Sequence, residues 1–314
     1  MSDKVVISCR QMHQVLAHVR SGLDAAGYEL VIPELTGQHL DEADLLRILP
    51  GCVGIIAGDD RLTARVIDGA PGLRAISKWG VGMDAIDVQH ANRRGIAVTN
   101  TPGMFDDEVA DVALGYLILL ARQLHRVDAD VRQGCWSKPA GRSLAGMTVG
   151  VVGLGGIGSA FVRRALVLGM TVVACDPASE ARHRAGRLGI DLVGLDELVM
   201  GADVVSLMAP LTASTRHLLN ADLLSRMRPG SWIVNTARGP LIDQEALVGA
   251  LRAGHIAAAA LDVFEDEPLP REHPLTTMAN VVLGSHNGSN THEANLRTSH
   301  AAARNLLRSL GETG

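Results

Sequence analysis

The segment MTVGVVGLGGIGSAFVRRALVLGMTVVACDP, residues 147–177, constrains the fold more than any other. A β-branched run opens it, Gly153, Gly155 and Gly158 follow in G-x-G-x-x-G spacing, and a helical stretch leads into a second β-branched run that ends at Asp176. Glycine at those three places permits a tight turn, close approach of the backbone to a pyrophosphate, and close packing of helix on strand. The helix that starts there turns its first amides toward phosphate. An acid at the end of the second strand, about 20 residues on, accepts hydrogen bonds from ribose hydroxyls and repels a 2′-phosphate. The expected cofactor is therefore NAD rather than NADP. A tight strand-to-helix turn beside an unrelated acid is the bland alternative, and the full strand, glycine, helix, strand, acid order argues against it.

Strand and helix patterns alternate along the whole chain. Early strands are expected near 5–8, 52–58, 73–77 and 96–100, and a second series near 148–152, 171–175, 203–207, 231–235, 256–261 and 280–284. That alternation implies α/β architecture with parallel sheets, and six strands suit a dinucleotide-binding sheet. At 314 residues the chain is long enough for about two domains. Two turn-rich segments, NTPGMFDDEVAD and GSHNGSNTHEAN, each lead into a helix and mark candidate crossings. If the chain crosses at both, residues up to about 100 join the last helix in one domain, and the glycine motif lies in a second domain inserted into the first.

Several function classes are excluded. A net charge of −5, with no Lys/Arg run interleaved with aromatics, offers no nucleic-acid surface. The four cysteines, Cys9, Cys52, Cys135 and Cys175, form no C-x-x-C pair and read as reduced cytosolic thiols. The apolar run of MSDKVVISCR is too short for a signal-peptide core. The run Val112–Ala121 falls short of the ~20 apolar residues of a membrane span. A cytoplasmic protein with no membrane partner is expected. Asp106, Asp107, Glu108 and Asp111 sit at a helix start, where capping and the helix dipole favour acids, so no metal is expected.

In open α/β sheets, ligands gather beyond the carboxyl ends of the strands. Three late strands each end in polar chemistry: Arg238 after SWIVN, Asp262 and Glu267 after IAAAAL, and His286 after NVVLG. An arginine can grip a carboxylate with two parallel hydrogen bonds. A histidine backed by a carboxylate is a general acid/base near neutral pH. Singly, Arg238 could be a turn residue and Glu267 part of an acidic loop with Glu265 and Asp266; position at one sheet edge distinguishes them. By the same criterion His13, His18, His90, His217 and His300 read as ordinary surface groups.

The segments KWGVGMDAIDV, VTNTPG, VGLGGIG, VNTARGPLID, ALDVFEDEP and SHNG occur in the order and approximate spacing of the D-isomer-specific 2-hydroxyacid dehydrogenases. The resemblance covers nearly everything after residue 50, and within the family it is most similar to the 3-phosphoglycerate dehydrogenase-like branch. It implies two doubly wound parallel-sheet domains: a Rossmann NAD domain, residues 101–287, inserted into a flavodoxin-like substrate-binding domain, residues 1–100 plus 288–314. It also implies a hydride transfer between NAD and a small D-2-hydroxy acid, giving the 2-keto acid. On matching positions, Arg238 would hold the substrate and polarise its C2 oxygen, His286 would exchange the hydroxyl proton, and Glu267 would favour the protonated imidazole. The backbone of Gly80, Val81 and Gly82 would bind the substrate carboxylate, with Lys78 as an extra charge. Asp262 would face the nicotinamide amide, and Gly156, Ile157, Pro210, Thr215, Ala237 and Gly288 would complete the coenzyme contacts. A homodimer through the NAD domain is implied, with the apolar helix near 109–125 as the candidate interface.

The chain departs from the family pattern at Ala85, Phe105 and Gly156, where asparagine, asparagine and arginine are frequent. Asp59 and Asp60 fall where phosphoglycerate enzymes place basic or hydroxyl residues, which argues against a phosphorylated substrate unless Arg61 turns inward. Two alternatives follow: an NAD(H)-sensing protein resembling the C-terminal-binding corepressors, or a dehydrogenase for a phosphonate, sulfonate or phosphite.

Overall fold

The computed structural model describes residues 2–311 apart from 36 and 38, so residues 1 and 312–314 of the expected first domain lie outside the described residues. The chain divides into two compact units, Met1–Phe105 with Ser289–Gly314, and Asp106–Gly288. Both are doubly wound parallel α/β units.

In the first unit the strands are β1 (Lys4–Ile7), β2 (Glu29–Val31), β3 (Cys52–Ala57), β4 (Ala75–Lys78) and β5 (Ala97–Thr99). They lie in the order β2-β1-β3-β4-β5 with every pairing parallel, the flavodoxin-like arrangement. The apolar residues of the central strands β1, β3 and β4 are nearly all buried, on both faces, as a parallel sheet covered by helices requires. β2 was absent from the expected strands, because three half-exposed residues carry no alternation to read. The closing helix, His292–Leu310, returns to this sheet. Ser77 Oγ donates to Ala302 O at 2.9 Å, Trp79 Nε1 donates to Ser299 Oγ at 3.0 Å, and Leu306 packs over Gly54. Residues 101–105 are tied to the same unit by Thr101, whose N–H donates to Gly80 O, and by Phe105, whose ring lies 5.9 Å from Trp79.

Asp60 does not face a ligand. It is fully buried, and its carboxylate accepts from Ser8 Oγ at 2.5 Å, Leu40 N at 2.8 Å and Gly58 N at 3.0 Å. The group expected to repel a phosphate is instead a bracket joining the ends of β1 and β3. Burial raises its pKa more than these hydrogen bonds lower it. Asp60→Ala would orphan three donors and is expected to lower the unit's stability by about 2 kcal/mol or more, read as a lower denaturant midpoint. With its folded pKa above the unfolded value, the contribution of Asp60 is full below the unfolded pKa and is lost as pH rises through the folded one. That portion of the pH dependence should vanish in the variant.

The second unit contains β6 (Thr148–Val152), β7 (Thr171–Cys175), β8 (Asp191–Leu192), β9 (Val204–Leu207), β10 (Ser231–Asn235), β11 (Ile256–Leu261) and β12 (Val281–Leu283). Their order is β12-β11-β10-β9-β6-β7-β8, again all parallel, so the sheet has seven strands where six were expected. The extra strand, β8, is a two-residue edge too short to leave a pattern. Strand order reverses between β6 and β9, the switch point at which such sheets open a ligand crevice.

The apolar helix expected at a subunit interface runs Asp106–Arg122, and Val109, Ala110, Ala113, Leu117, Leu120 and Ala121 are buried. From Ala110 onward this apolar face packs with Ala160, Phe161, Val162 and Ala165 in the unit's own core. Acids in its first two turns meet an arginine: Asp111 and Asp107 pair with Arg164 at 2.6 and 3.0 Å. Among the described residues no helix is long and apolar enough to cross a membrane.

Candidate active site

The carboxyl edge of the seven-stranded sheet collects the expected groups of this unit. β6 runs into Gly153–Gly158, β7 into Asp176, β9 into Pro210 and Thr215, β10 into Ala237 and Arg238, β11 into Asp262 and Glu267, and β12 into His286 and Gly288.

The glycine segment fits a dinucleotide. A side chain at Gly153 would meet Ala209 N at 2.7 Å, and one at Gly158 would overlap the Gly153 carbonyl, so the turn is filled from within. Gly155 caps the helix Gly156–Val167 and meets nothing on its open side, which leaves backbone amides at a helix start for a pyrophosphate. Gly156 lacks a side chain because the Asp106 carboxylate occupies that volume. The Asp176 carboxylate is held by Leu154 N at 2.7 Å and Ala178 N at 2.8 Å. Thr215 Oγ1 donates to Pro210 O at 2.8 Å, fixing the loop after β9.

Arg238, Glu267 and His286 come from three neighbouring strand ends. His286 Nδ1 lies 2.6 Å from Glu267 Oε2, and Glu267 Oε1 accepts from Phe264 N at 2.9 Å, so the carboxylate is anchored while it orients the ring. His286 has a left-handed backbone, φ 54°, and its N–H donates to Asp262 O at 2.6 Å. A non-glycine residue in that region is uncommon and is sustained by such a contact. Arg238 is aimed by Asn235, whose side chain donates to Arg238 O at 2.9 Å and accepts from Ala237 N at 3.0 Å. A Cβ at Gly239 would overlap the Phe264 carbonyl group and lie 2.5 Å from Glu265 N. The arginine loop and the glutamate loop therefore touch backbone to backbone, and only glycine permits it.

Asn235 and Gly239 were not singled out in the sequence, although VNTARG contains both. Nor was Tyr116, a lone phenol in an apolar helix, whose hydroxyl donates to Asp262 Oδ1 at 2.9 Å. His217, a surface group as expected, pairs with Glu265 at 2.6 Å and has φ 50°.

Within the first unit, Lys78, Gly80, Val81 and Gly82 follow β4. Lys78 is buried, and its ammonium donates to Gly58 O at 2.6 Å, Asp59 Oδ1 at 3.0 Å and Trp79 O at 3.2 Å. Three donors meet three acceptors, so the charge expected to serve a ligand instead holds the loop after β3. The Gly80 N–H likewise donates to Thr101 Oγ1 at 2.9 Å, so this amide already has a partner within the unit.

A family profile described as D-isomer specific 2-hydroxyacid dehydrogenase, NAD binding domain, matches residues 114–288, more than half of the 314 residues. The chain belongs to that family. This dehydrogenase is 43% identical over 254 residues to a glyoxylate reductase of Thermofilum pendens, covering 79% of the chain and 75% of that protein. It is 38% identical over 309 residues to a hydroxypyruvate reductase of Thermotoga maritima, covering 96% and 100%. Its fold resembles that of an NAD-dependent formate dehydrogenase from Staphylococcus aureus in complex with NAD, with TM-score 0.87, 29% identity and coverage of 98% and 95%. The dehydrogenase thus carries an NAD-binding domain in its second unit and is an NAD-dependent oxidoreductase of the 2-hydroxyacid class, as the motifs imply.

Proposed function

We propose that the protein interconverts a small D-2-hydroxy acid and its 2-keto acid, with Arg238, Glu267 and His286 as catalytic residues and glyoxylate or hydroxypyruvate as the keto acid. The observation that supports this reading is the 2.6 Å pair of His286 Nδ1 with Glu267, which leaves Nε2 as the nitrogen to exchange the substrate proton. Arg238 binds the substrate carboxylate and polarises the C2 oxygen. His286 gives its proton to that oxygen during reduction and takes it back during oxidation. Bound coenzyme supplies or accepts the hydride at C2. The first unit acts as the substrate-binding domain, through the Val81 and Gly82 backbone.

Coenzyme contacts are assigned to Gly153, Gly155, Gly156, Ile157, Gly158, Asp176, Pro210, Thr215, Ala237, Asp262 and Gly288, with the Asp262 carboxylate toward the nicotinamide amide. Asp176 selects NAD by accepting ribose hydroxyls. Asp176→Ala is expected to narrow the preference for NADH over NADPH by at least about tenfold, the size of one charge-assisted hydrogen bond. An unchanged ratio of kcat/KM values would remove Asp176 from that role.

The relatives named above act, by name, on glyoxylate and hydroxypyruvate. Asp59 adds a physical reason to favour these over a phosphorylated acid. Its carboxylate, 37% exposed, stands on Lys78 at the carboxyl end of β3 and disfavours a distal anion. The decisive experiment measures NADH oxidation with glyoxylate, hydroxypyruvate, pyruvate and phosphohydroxypyruvate. Tight NADH binding with no reduction of any keto acid would favour the corepressor-like sensor; activity confined to phosphonate, sulfonate or phosphite substrates would favour the other alternative.

The protein is further proposed to be a cytoplasmic homodimer. Trp136 is 79% exposed, and Leu124 and Val131 are exposed on the helix Leu124–Arg132 beside it. An apolar surface of this kind suits a second copy of the chain. Sedimentation at twice the chain mass, reduced to the monomer by Trp136→Glu, is the expected result.

A further inference from the structure

The middle of the helix Asp106–Arg122 is aliphatic except for Tyr116, and a phenol in such a stretch needs a polar partner. That partner is remote in sequence. Tyr116 Oη donates to Asp262 Oδ1 at 2.9 Å, and Gly288 N donates to Asp262 Oδ2 at 2.9 Å. Asp262 is buried, and its main chain is fixed as well: its N–H donates to Asn235 O at 2.9 Å and its carbonyl accepts from His286 N. A side chain at Gly284 would overlap both Tyr116 Oη and Asp262 Oδ1, so the glycine keeps open the space the pair fills. Burial and the neighbouring carboxylate hold the Tyr116 hydroxyl protonated, well above its usual range, which keeps it a donor.

A carboxylate oxygen can accept a second hydrogen bond, so the two donors fix the plane of Asp262 without exhausting it. The terminal torsion of an aspartate is otherwise broad and close to two-fold. We propose that Tyr116 is a positioning residue for coenzyme binding: its hydroxyl locks the Asp262 carboxylate in the orientation that accepts the carboxamide N–H of nicotinamide. This rests on the assignment of Asp262 made above and adds to it the group that sets its geometry.

Tyr116→Phe keeps the ring and its packing while removing one hydroxyl. The test is calorimetric binding of three probes to the whole chain: NAD, ADP-ribose, which lacks nicotinamide, and the 3-acetylpyridine analogue of NAD, which lacks the carboxamide N–H. In Tyr116→Phe, NAD should bind on the order of 10-fold more weakly, the value of one hydrogen bond to a charged group. ADP-ribose should bind as before, and the wild-type preference for NAD over its acetylpyridine analogue should collapse. Equal weakening of NAD and ADP-ribose, or unchanged NAD affinity, would overturn the proposal. Asp262→Ala separates the two layers. If that variant keeps the carboxamide preference, the assignment of Asp262 is wrong; if it loses the preference while Tyr116→Phe retains it, only the role of Tyr116 fails.

Discussion

Replacing His286 by alanine is expected to lower turnover of any accepted 2-keto acid by about 10²–10⁴-fold, the usual worth of a positioned general acid/base. NADH affinity should stay within about twofold, because the imidazole meets Glu267 through Nδ1 and serves the substrate proton. The loss should appear in kcat and in kcat/KM alike, the signature of an interaction made in the transition state. Steady-state kinetics beside calorimetric NADH binding checks both halves. A variant that kept most of its kcat would take His286 out of proton transfer.

Gly239→Ala is expected to be nearly as damaging, although glycine carries no chemistry. The added methyl group would fall on the Phe264 carbonyl, so the arginine loop and the glutamate loop must part. Arg238 lies one residue before the contact and Glu267 three residues after Phe264. A displacement of about 1 Å between groups that act on one substrate can cost about 100-fold in rate. We expect kcat/KM to fall by at least that factor, with a lower thermal midpoint, both measured on purified folded protein. Kinetics like those of the parent chain would mean that the spacing of the two loops does not govern activity.

Much of the architecture could be read from the residues because short apolar runs, each followed by a helix, admit few topologies. β2 and β8 escaped because each opens on an exposed acid, Glu29 or Asp191, and leaves at most two apolar residues to read. The chemical groups of the second unit were legible for a topological reason: a parallel sheet delivers whatever follows each strand to a single edge. What individual polar groups do there was less legible. Asp59, Asp60 and Lys78 look alike as charges beside a turn, yet two of the three are buried, and the Asp60 bracket reaches Ser8 across 52 residues. The Tyr116–Asp262 bond spans 146 residues, and a helix pattern records only that the position is mostly apolar. Local sequence reports periodicity; partners chosen across the fold leave no local trace.

The return of the final helix to the first sheet has a consequence for synthesis. Residues 106–288 hold all seven strands of their sheet in one continuous stretch, so that unit can close as soon as it clears the ribosome. The earlier-made unit cannot: Gly54, Ser77 and Trp79 wait for Leu306, Ala302 and Ser299, which are translated after residues 106–288. Of the two sheets, the five-stranded one emerges before the other and is completed after it, and a nascent chain halted before residue 292 would leave part of one of its faces, over β3 and β4, uncovered.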